Sequence, residues 1–127
     1  MIAVDTSALM AILLKEPEAT AAMNALEADP DVVISAGTLA EALIVAARQS
    51  IGDQMIKLVD RMEFEVLPVT RADALTIAQA YSRWGKGLHR AALNYGDCFA
   101  YAVAKERGCK LLYVGSDFAK TDIESVL

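Results

Sequence analysis

The sequence predicts a three-layer α/β/α sandwich around a mainly parallel sheet of four to five short strands, in a single domain spanning 1–127. Three observations lead there. Short β-branched, apolar runs alternate along the chain with segments of helical periodicity. The runs are nearly continuous in apolar residues, as strands covered on both faces are. The 127-residue chain is 55% apolar, which supplies a core for one domain.

Ile2-Ala3-Val4 reads as the first buried strand. Thr6 to Leu14 follows as a helix, and Pro17 is placed as the first residue of a second. That helix carries Ala19, Ala22, Met23 and Leu26 on one stripe and ends at Asp29-Pro30-Asp31. Val32-Val33-Ile34 is the second strand. Thr38 to Ser50 reads as a helix, with Leu39, Ala42, Leu43, Ala46 and Ala47 at helical spacing, and Gly52 breaks it. A helix is expected over 53–62. Glu65 to Val69 is a short strand that Pro68 assigns to an edge. Residues 71–83 form a helix, and Gly85 and Gly87 open a loop through Gly96. Asp97 to Arg107 is a helix stopped by Gly108. Leu111 to Val114 is the last strand, turned by Gly115.

Four acids stand where strands hand over to helices or where helices begin: Asp5, Glu41, Asp97 and Asp117. Each has a local explanation. Asp5 caps a helix starting at Thr6. Thr38-Leu39-Ala40-Glu41 fits a capping box, and Asn94 to Asp97 fits another. Asp117 caps a short final helix. Jointly the four say more. In a parallel sheet the strand C-termini share one edge, where ligand sites form. Two carboxylates about 5 Å apart repel by roughly 3 kcal/mol at an effective dielectric near 20. Four together take up protons or bind cations. An all-oxygen site suits Mg²⁺ or Mn²⁺.

Composition removes other chemistries. His89 is the only histidine, which argues against a two-histidine ribonuclease, a His/Cys zinc site and most Ser–His hydrolases. Cys98 and Cys109 are the only cysteines. They are expected about three helical turns apart, roughly 16 Å, and so are free thiols. The apolar run Ala8 to Leu14 is far short of the roughly 20 residues of a membrane span. A cytoplasmic protein is expected.

The net charge is −5. Residues 74–96 nevertheless hold no acid, and they carry Arg83, Lys86, His89 and Arg90 with Tyr81 and Trp84. Arg83, Lys86 and Arg90 could neutralise phosphates. Trp84 could stack a base or pack on the core. Met10, Leu13, Leu14 and the helix at 38–51 offer more apolar surface than one small domain buries.

In this order, Val4-Asp5-Thr6-Ser7-Ala8, Glu41, Leu93-Asn94-Tyr95-Gly96-Asp97-Cys98-Phe99-Ala100 and Leu111 to Phe118 resemble the PIN-domain ribonucleases. More narrowly, they resemble the VapC-type toxins of bacterial toxin–antitoxin pairs. The resemblance covers nearly the whole chain. It departs at Ser116, where the family often has Asn. It implies a metal-dependent endoribonuclease in which Asp5, Glu41 and Asp97 hold one or two Mg²⁺ or Mn²⁺ ions and Asp117 closes the site. Asp122 is the rival for that fourth place. Thr6, Ser7 and Ser116 would orient water, phosphate or the acids. The implied partners are an RNA substrate, a cognate VapB-like antitoxin and a second copy in a homodimer, with no membrane. Two other readings stand beside it. One is another Mg-dependent phosphohydrolase, against which no Asp-x-Asp motif or phosphate-cradling glycine loop is present. The other is a catalytically silent PIN-like module that binds a partner protein.

Overall fold

In the computed structural model, which describes all 127 residues, four parallel strands form one sheet in the order β3-β2-β1-β4. They are β1 (Ile2–Val4), β2 (Val32–Ser35), β3 (Glu65–Leu67) and β4 (Lys110–Leu112). Six helices connect them: α1 (Thr6–Leu13), α2 (Ala19–Ala28), α3 (Ala36–Arg48), α4 (Gly52–Met62), α5 (Arg71–Trp84) and α6 (Tyr95–Arg107). The central strand β1 pairs Ala3 with Val33 on one side and with Leu111 on the other. β3 is an edge strand, as Pro68 implied. No fifth strand forms. At the free edge of β4 the C-terminal segment makes a single bridge, Leu111 to Ser125.

The period-2 alternation of strand side chains divides the core into two layers. Ala3, Val33 and Leu111 face α5 and α6, where they meet Ile77, Ala80, Trp84 and Phe99, joined by Phe118 from the turn after β4. Ile2, Val4, Val32, Ile34 and Leu112 face α1 to α4, where they meet Leu9, Leu26, Ala46, Met55 and Leu58. These strand residues are buried on both faces of the sheet, which is why their segments read as unbroken apolar runs.

Several local boundaries differ from the sequence reading. Pro17 lies in a turn, and α2 begins two residues later at Ala19. α3 starts at Ala36, because Ser35, the last residue of β2, is itself the N-cap and accepts the amide of Gly37. The capping box assigned to Thr38 and Glu41 therefore does not form, and Glu41 stands on the second turn with its carboxylate free for other partners. α6 starts at Tyr95, capped by Asn94. Residues 117–120 make a turn in place of a final helix. Met10 is buried, whereas Leu14 and Ile44 remain exposed.

Topology brings one end of the molecule together. β1 ends at Asp5, β2 runs directly into α3, and β4 exits towards Asp117. α6 feeds the N-terminal end of β4, so its own N-terminal turn, with Asp97, lies at the opposite edge, beside the strand C-termini.

Candidate active site

Asp5 is the N-cap of α1 and is 3% exposed. Its backbone N–H donates to the carbonyl of Leu112 at 3.0 Å, which ties it to the end of β4. One carboxylate oxygen, Oδ2, accepts from the Ser7 amide at 3.0 Å and from the Ser7 hydroxyl at 2.6 Å. That hydroxyl also accepts the amide of Val114 at 3.1 Å. Ser7 thus fastens Asp5 to the segment leading to Asp117. The other oxygen, Oδ1, is buried with no partner. The only other unpartnered buried side-chain oxygen is Oγ1 of Thr38, at the same end of the sheet.

Thr6 Oγ1 donates to Glu41 Oε1 at 2.7 Å, which joins α1 to α3. The same hydroxyl lies 3.3 Å from the carbonyl of Thr38. Asp97 is the third residue of α6, and its capping box with Asn94 is present in both directions: Asn94 N–H donates to Asp97 Oδ2 at 3.0 Å, and Asp97 N–H donates to Asn94 Oδ1 at 2.8 Å. The capping role of Asp5 and Asp97 does not use up their carboxylates, since each cap engages a single oxygen.

The charges are felt jointly. Burial pushes the Asp5 carboxyl up to about 6, against its bonds to Ser7, and the charge of Glu41 raises it further. Burial likewise pushes Asp97 up to about 7. The Asn94 amide opposes this, and the charges of Asp5, Asp117 and Glu41 add to the rise. Asp97 therefore lies within electrostatic reach of the other three acids, and Asp5 within reach of Glu41. None of the four takes part in an ion pair, since the four salt bridges of the chain use Asp29, Asp122 and Glu124.

The donor set is hard oxygen only, and one buried carboxylate oxygen lacks any partner. These features fit a small divalent cation. No three of the acids converge tightly enough to grip an ion directly as they stand. A divalent ion that keeps several of its waters takes only one or two carboxylates directly. Like charges also hold apart unless a cation draws them in.

The remaining sequence candidates separate. Asp117 and Ser116 are exposed in the turn after β4. Asp122, the rival fourth acid, is engaged elsewhere. It accepts from Tyr101 Oη at 2.5 Å and from Lys105 Nζ at 3.1 Å, with Arg83 at 3.7 Å. Burial raises its carboxyl, but Tyr101, Lys105 and Arg83 hold it below the ordinary value. Trp84 is buried, not free to stack. Its Nε1 donates to Tyr101 Oη at 3.0 Å, Arg83 lies 4.5 Å over its ring, and His89 meets it edge-on at 4.8 Å. Lys86 and Arg90 are exposed on the loop between α5 and α6. Bonds from Lys86 N–H to Leu93 O and from Leu93 N–H to Trp84 O pinch that loop shut. Cys98 and Cys109 are free thiols.

Sequence reasoning missed Gly96. A Cβ there would fall into the Glu41 carboxylate, 2.6 Å from its Cδ. The sequence shows only a glycine in a helix start; the contact is made by another helix. The largest cavity, about 640 Å³, lies away from the acids at the N-terminal edge of the sheet, lined by Met1, Asp29, Lys105 and Lys110 among others.

Comparison with known proteins places the chain in a family with this fold. The PIN domain family profile matches residues 2–124. Ribonuclease VapC30 of Mycobacterium tuberculosis is 41% identical over 126 residues, covering 97% of this chain and 96% of that protein. Ribonuclease VapC of Mycolicibacterium smegmatis is 40% identical, covering 97% and 98%. Among solved structures, M. tuberculosis VapC20, described as a sarcin-ricin loop cleaving toxin, shares the fold with a TM-score of 0.77 at 20% identity, covering 99% of this chain and 98% of that one. A toxin–antitoxin complex from Klebsiella pneumoniae contains a chain with a TM-score of 0.73 at 19% identity, covering 96% and 93%.

Proposed function

The chain belongs to the PIN-domain family and, within it, to the VapC ribonucleases, and from that premise we propose an endoribonuclease that hydrolyses RNA phosphodiester bonds as the toxin of a toxin–antitoxin pair. Asp5, Glu41 and Asp97 would hold one or two Mg²⁺ or Mn²⁺ ions, with Asp117 closing the site. When bound, such a cation makes a water nucleophilic near neutral pH and neutralises charge on the phosphate.

One observation carries the reading. Asp5 is buried, has one oxygen without any partner, and faces other carboxylates with no cation from the protein. A buried acid so placed is a fold liability unless it takes a proton or a cation. A structural cap needs neither the burial nor the company of three more acids.

The protein's own groups supply orientation. Ser7 fixes which Asp5 oxygen stays free, because its amide and hydroxyl both engage Oδ2 and leave Oδ1 without a partner. Thr6 does the same for Glu41. The capping box fixes Asp97. Lys86 and Arg90 sit on a loop clamped shut just before the start of α6, and are the cations offered to phosphates. Arg83 is divided between Trp84 and Asp122, so its share in RNA contact is smaller.

A cognate antitoxin and a second copy of the chain are the protein partners of this reading. The apolar surface is available to them: Val69, Ala78, Tyr81, Tyr95 and Phe99 border a cavity of about 530 Å³ between α5 and α6. A cytoplasmic location belongs to this reading, and the free cysteines suit a reducing compartment.

The test is RNA cleavage by purified, antitoxin-free protein with Mg²⁺ or Mn²⁺, with and without EDTA, comparing wild type with Asp5→Asn and Asp97→Asn. Cleavage is expected only with the metal and only in the wild type. Cleavage in EDTA, or full activity in both variants, would sink the mechanism.

A further inference from the structure

α3 and α6 cross at the active-site end through two glycines, each receiving a side chain from the other helix. On α3, Gly37 lies under the Phe99 ring of α6. A Cβ at Gly37 would stand 2.6 Å from Phe99 Cε1 and 2.8 Å from Cγ. On α6, Gly96 lies under the Glu41 carboxylate of α3. A Cβ there would stand 2.6 Å from Glu41 Cδ and 3.0 Å from Oε1, with Oε2 closer still. The spacing is reciprocal. Gly37 and Glu41 are four apart on α3, and Gly96 and Phe99 are three apart on α6, so each pair shares one helix face.

We propose that Gly96 and Gly37 are positioning residues. Their interlock seats Glu41 against the N-terminal turn of α6, one residue from Asp97, in the pose from which it serves the acid pocket. Three features of the structure support this. Neither glycine has the positive φ that would explain a glycine by backbone geometry; those positions are Gly87, Gly108 and Gly115. The N-terminal turn of a helix carries unpaired N–H groups and the positive end of the dipole, so it favours a carboxylate laid against it. That attraction offsets part of the repulsion from Asp5 and Asp97. Finally, Thr6 holds Glu41 from the opposite side at 2.7 Å. The carboxylate is gripped between a hydroxyl and a bare Cα, with no room for a methyl group. Glu41 is the flexible partner in this contact, whereas the backbone of α6 is fixed by the Asn94–Asp97 box. A methyl at position 96 therefore displaces the acid and leaves the helix in place.

The binding arm of the test rests on the cation reading above, and a second arm does not. Gly96→Ala is made in the wild type and in a Glu41→Ala background, and all four proteins are measured for Mn²⁺ affinity by calorimetry and for melting temperature in EDTA. Gly96→Ala is expected to weaken Mn²⁺ about tenfold when Glu41 is present and by less than about twofold when it is absent, as loss of a supporting contact does. In EDTA, alanine is the better helix former and raises the melting temperature in the Glu41→Ala background. With Glu41 present that rise is lost. Unchanged Mn²⁺ affinity in Gly96→Ala, or an equal loss in both backgrounds, would overturn the proposal. If the wild type binds no Mn²⁺, the cation reading fails. The melting cycle then decides alone, and equal shifts in both backgrounds overturn the role of Gly96.

Discussion

Thr6 Oγ1 and Glu41 Oε1 lie 2.7 Å apart, a hydroxyl donating to a carboxylate across the junction of α1 and α3. The bond is charge-assisted and partly buried, the class that orients side chains most firmly. Thr6→Val keeps the shape and removes the donor. It is expected to cost about 1–2 kcal/mol of stability and to lower cleavage by about tenfold, the scale of lost support to a ligand. Thr6→Ser restores the hydroxyl and most of the activity. Urea unfolding and cleavage assays on the pair check this. A Thr6→Val protein as active as the wild type removes Thr6 from the positioning of Glu41.

Trp84 bears on how RNA is held. Its indole N–H is satisfied by Tyr101 and its ring is packed in the α5–α6 layer. Trp84→Ala would leave a large void and cost about 3–5 kcal/mol, which confuses binding with folding. Trp84→Phe retains most of the packing and loses the bond to Tyr101. We expect a protein less stable by about 1 kcal/mol with RNA affinity unchanged, whereas Lys86→Ala or Arg90→Ala weakens binding and flattens its salt dependence. A folded Trp84→Phe protein with clearly weaker RNA binding would contradict the core assignment.

The place of the fourth acid is tested by contrast. Asp122 stands in a network of Tyr101, Lys105 and Arg83 that holds the C-terminal segment on α6. Asp117 is exposed and has no such ties. Asp122→Ala is expected to lose about 1–2 kcal/mol of stability. Asp117→Ala is expected to change stability by less than about 0.5 kcal/mol, as surface substitutions do, and to reduce cleavage. The lowered pKa of Asp122 gives the same division: its contribution is present above the ordinary carboxylate value and is lost as pH falls below it, through the lower value of the folded state. The reverse pattern, with activity lost only at Asp122, exchanges the two roles.

What the sequence made legible was what depends on neighbours in the chain. Ile2 to Val4, Val32 to Ile34 and Leu111-Leu112 are buried on both faces and read as strands at once. Asp5 and Asp97 were legible as helix starts because capping is local. The capping box assigned to Glu41 was misread for the same reason. Thr38 to Glu41 satisfies the local pattern of a capping box, yet Ser35 had already begun the helix while ending β2. Trp84 sits in a cationic stretch, and its burial depends on Tyr101, on a different helix. The Gly96–Glu41 contact joins α6 to α3, and no residue near either one encodes it.

The raised carboxyls predict a trade of stability for function. Asp97 has an ordinary value of 3.8 and stands at about 7 in the fold. The folded state thus holds its proton more tightly than the unfolded chain does. The contribution of Asp97 to stability is most favourable below about pH 4, falls as pH rises between these values, and carries the full penalty above about 7. Asp97→Asn removes the titrating group, and an amide oxygen still accepts the Asn94 N–H. In EDTA at pH 8 the variant should therefore be more stable than the wild type, by roughly 1–2 kcal/mol once solvent screening is allowed for. The advantage should shrink as pH is lowered towards about 4.5. On the proposed cation reading, saturating Mn²⁺ should stabilise the wild type and not the variant, since a ligand of the folded state alone raises its stability. Thermal melts over this pH range, with and without Mn²⁺, measure all of these. An Asp97→Asn protein that melts below the wild type at pH 8 in EDTA would show that the carboxylate stabilises the metal-free fold, and the liability argued for the acid pocket would be wrong.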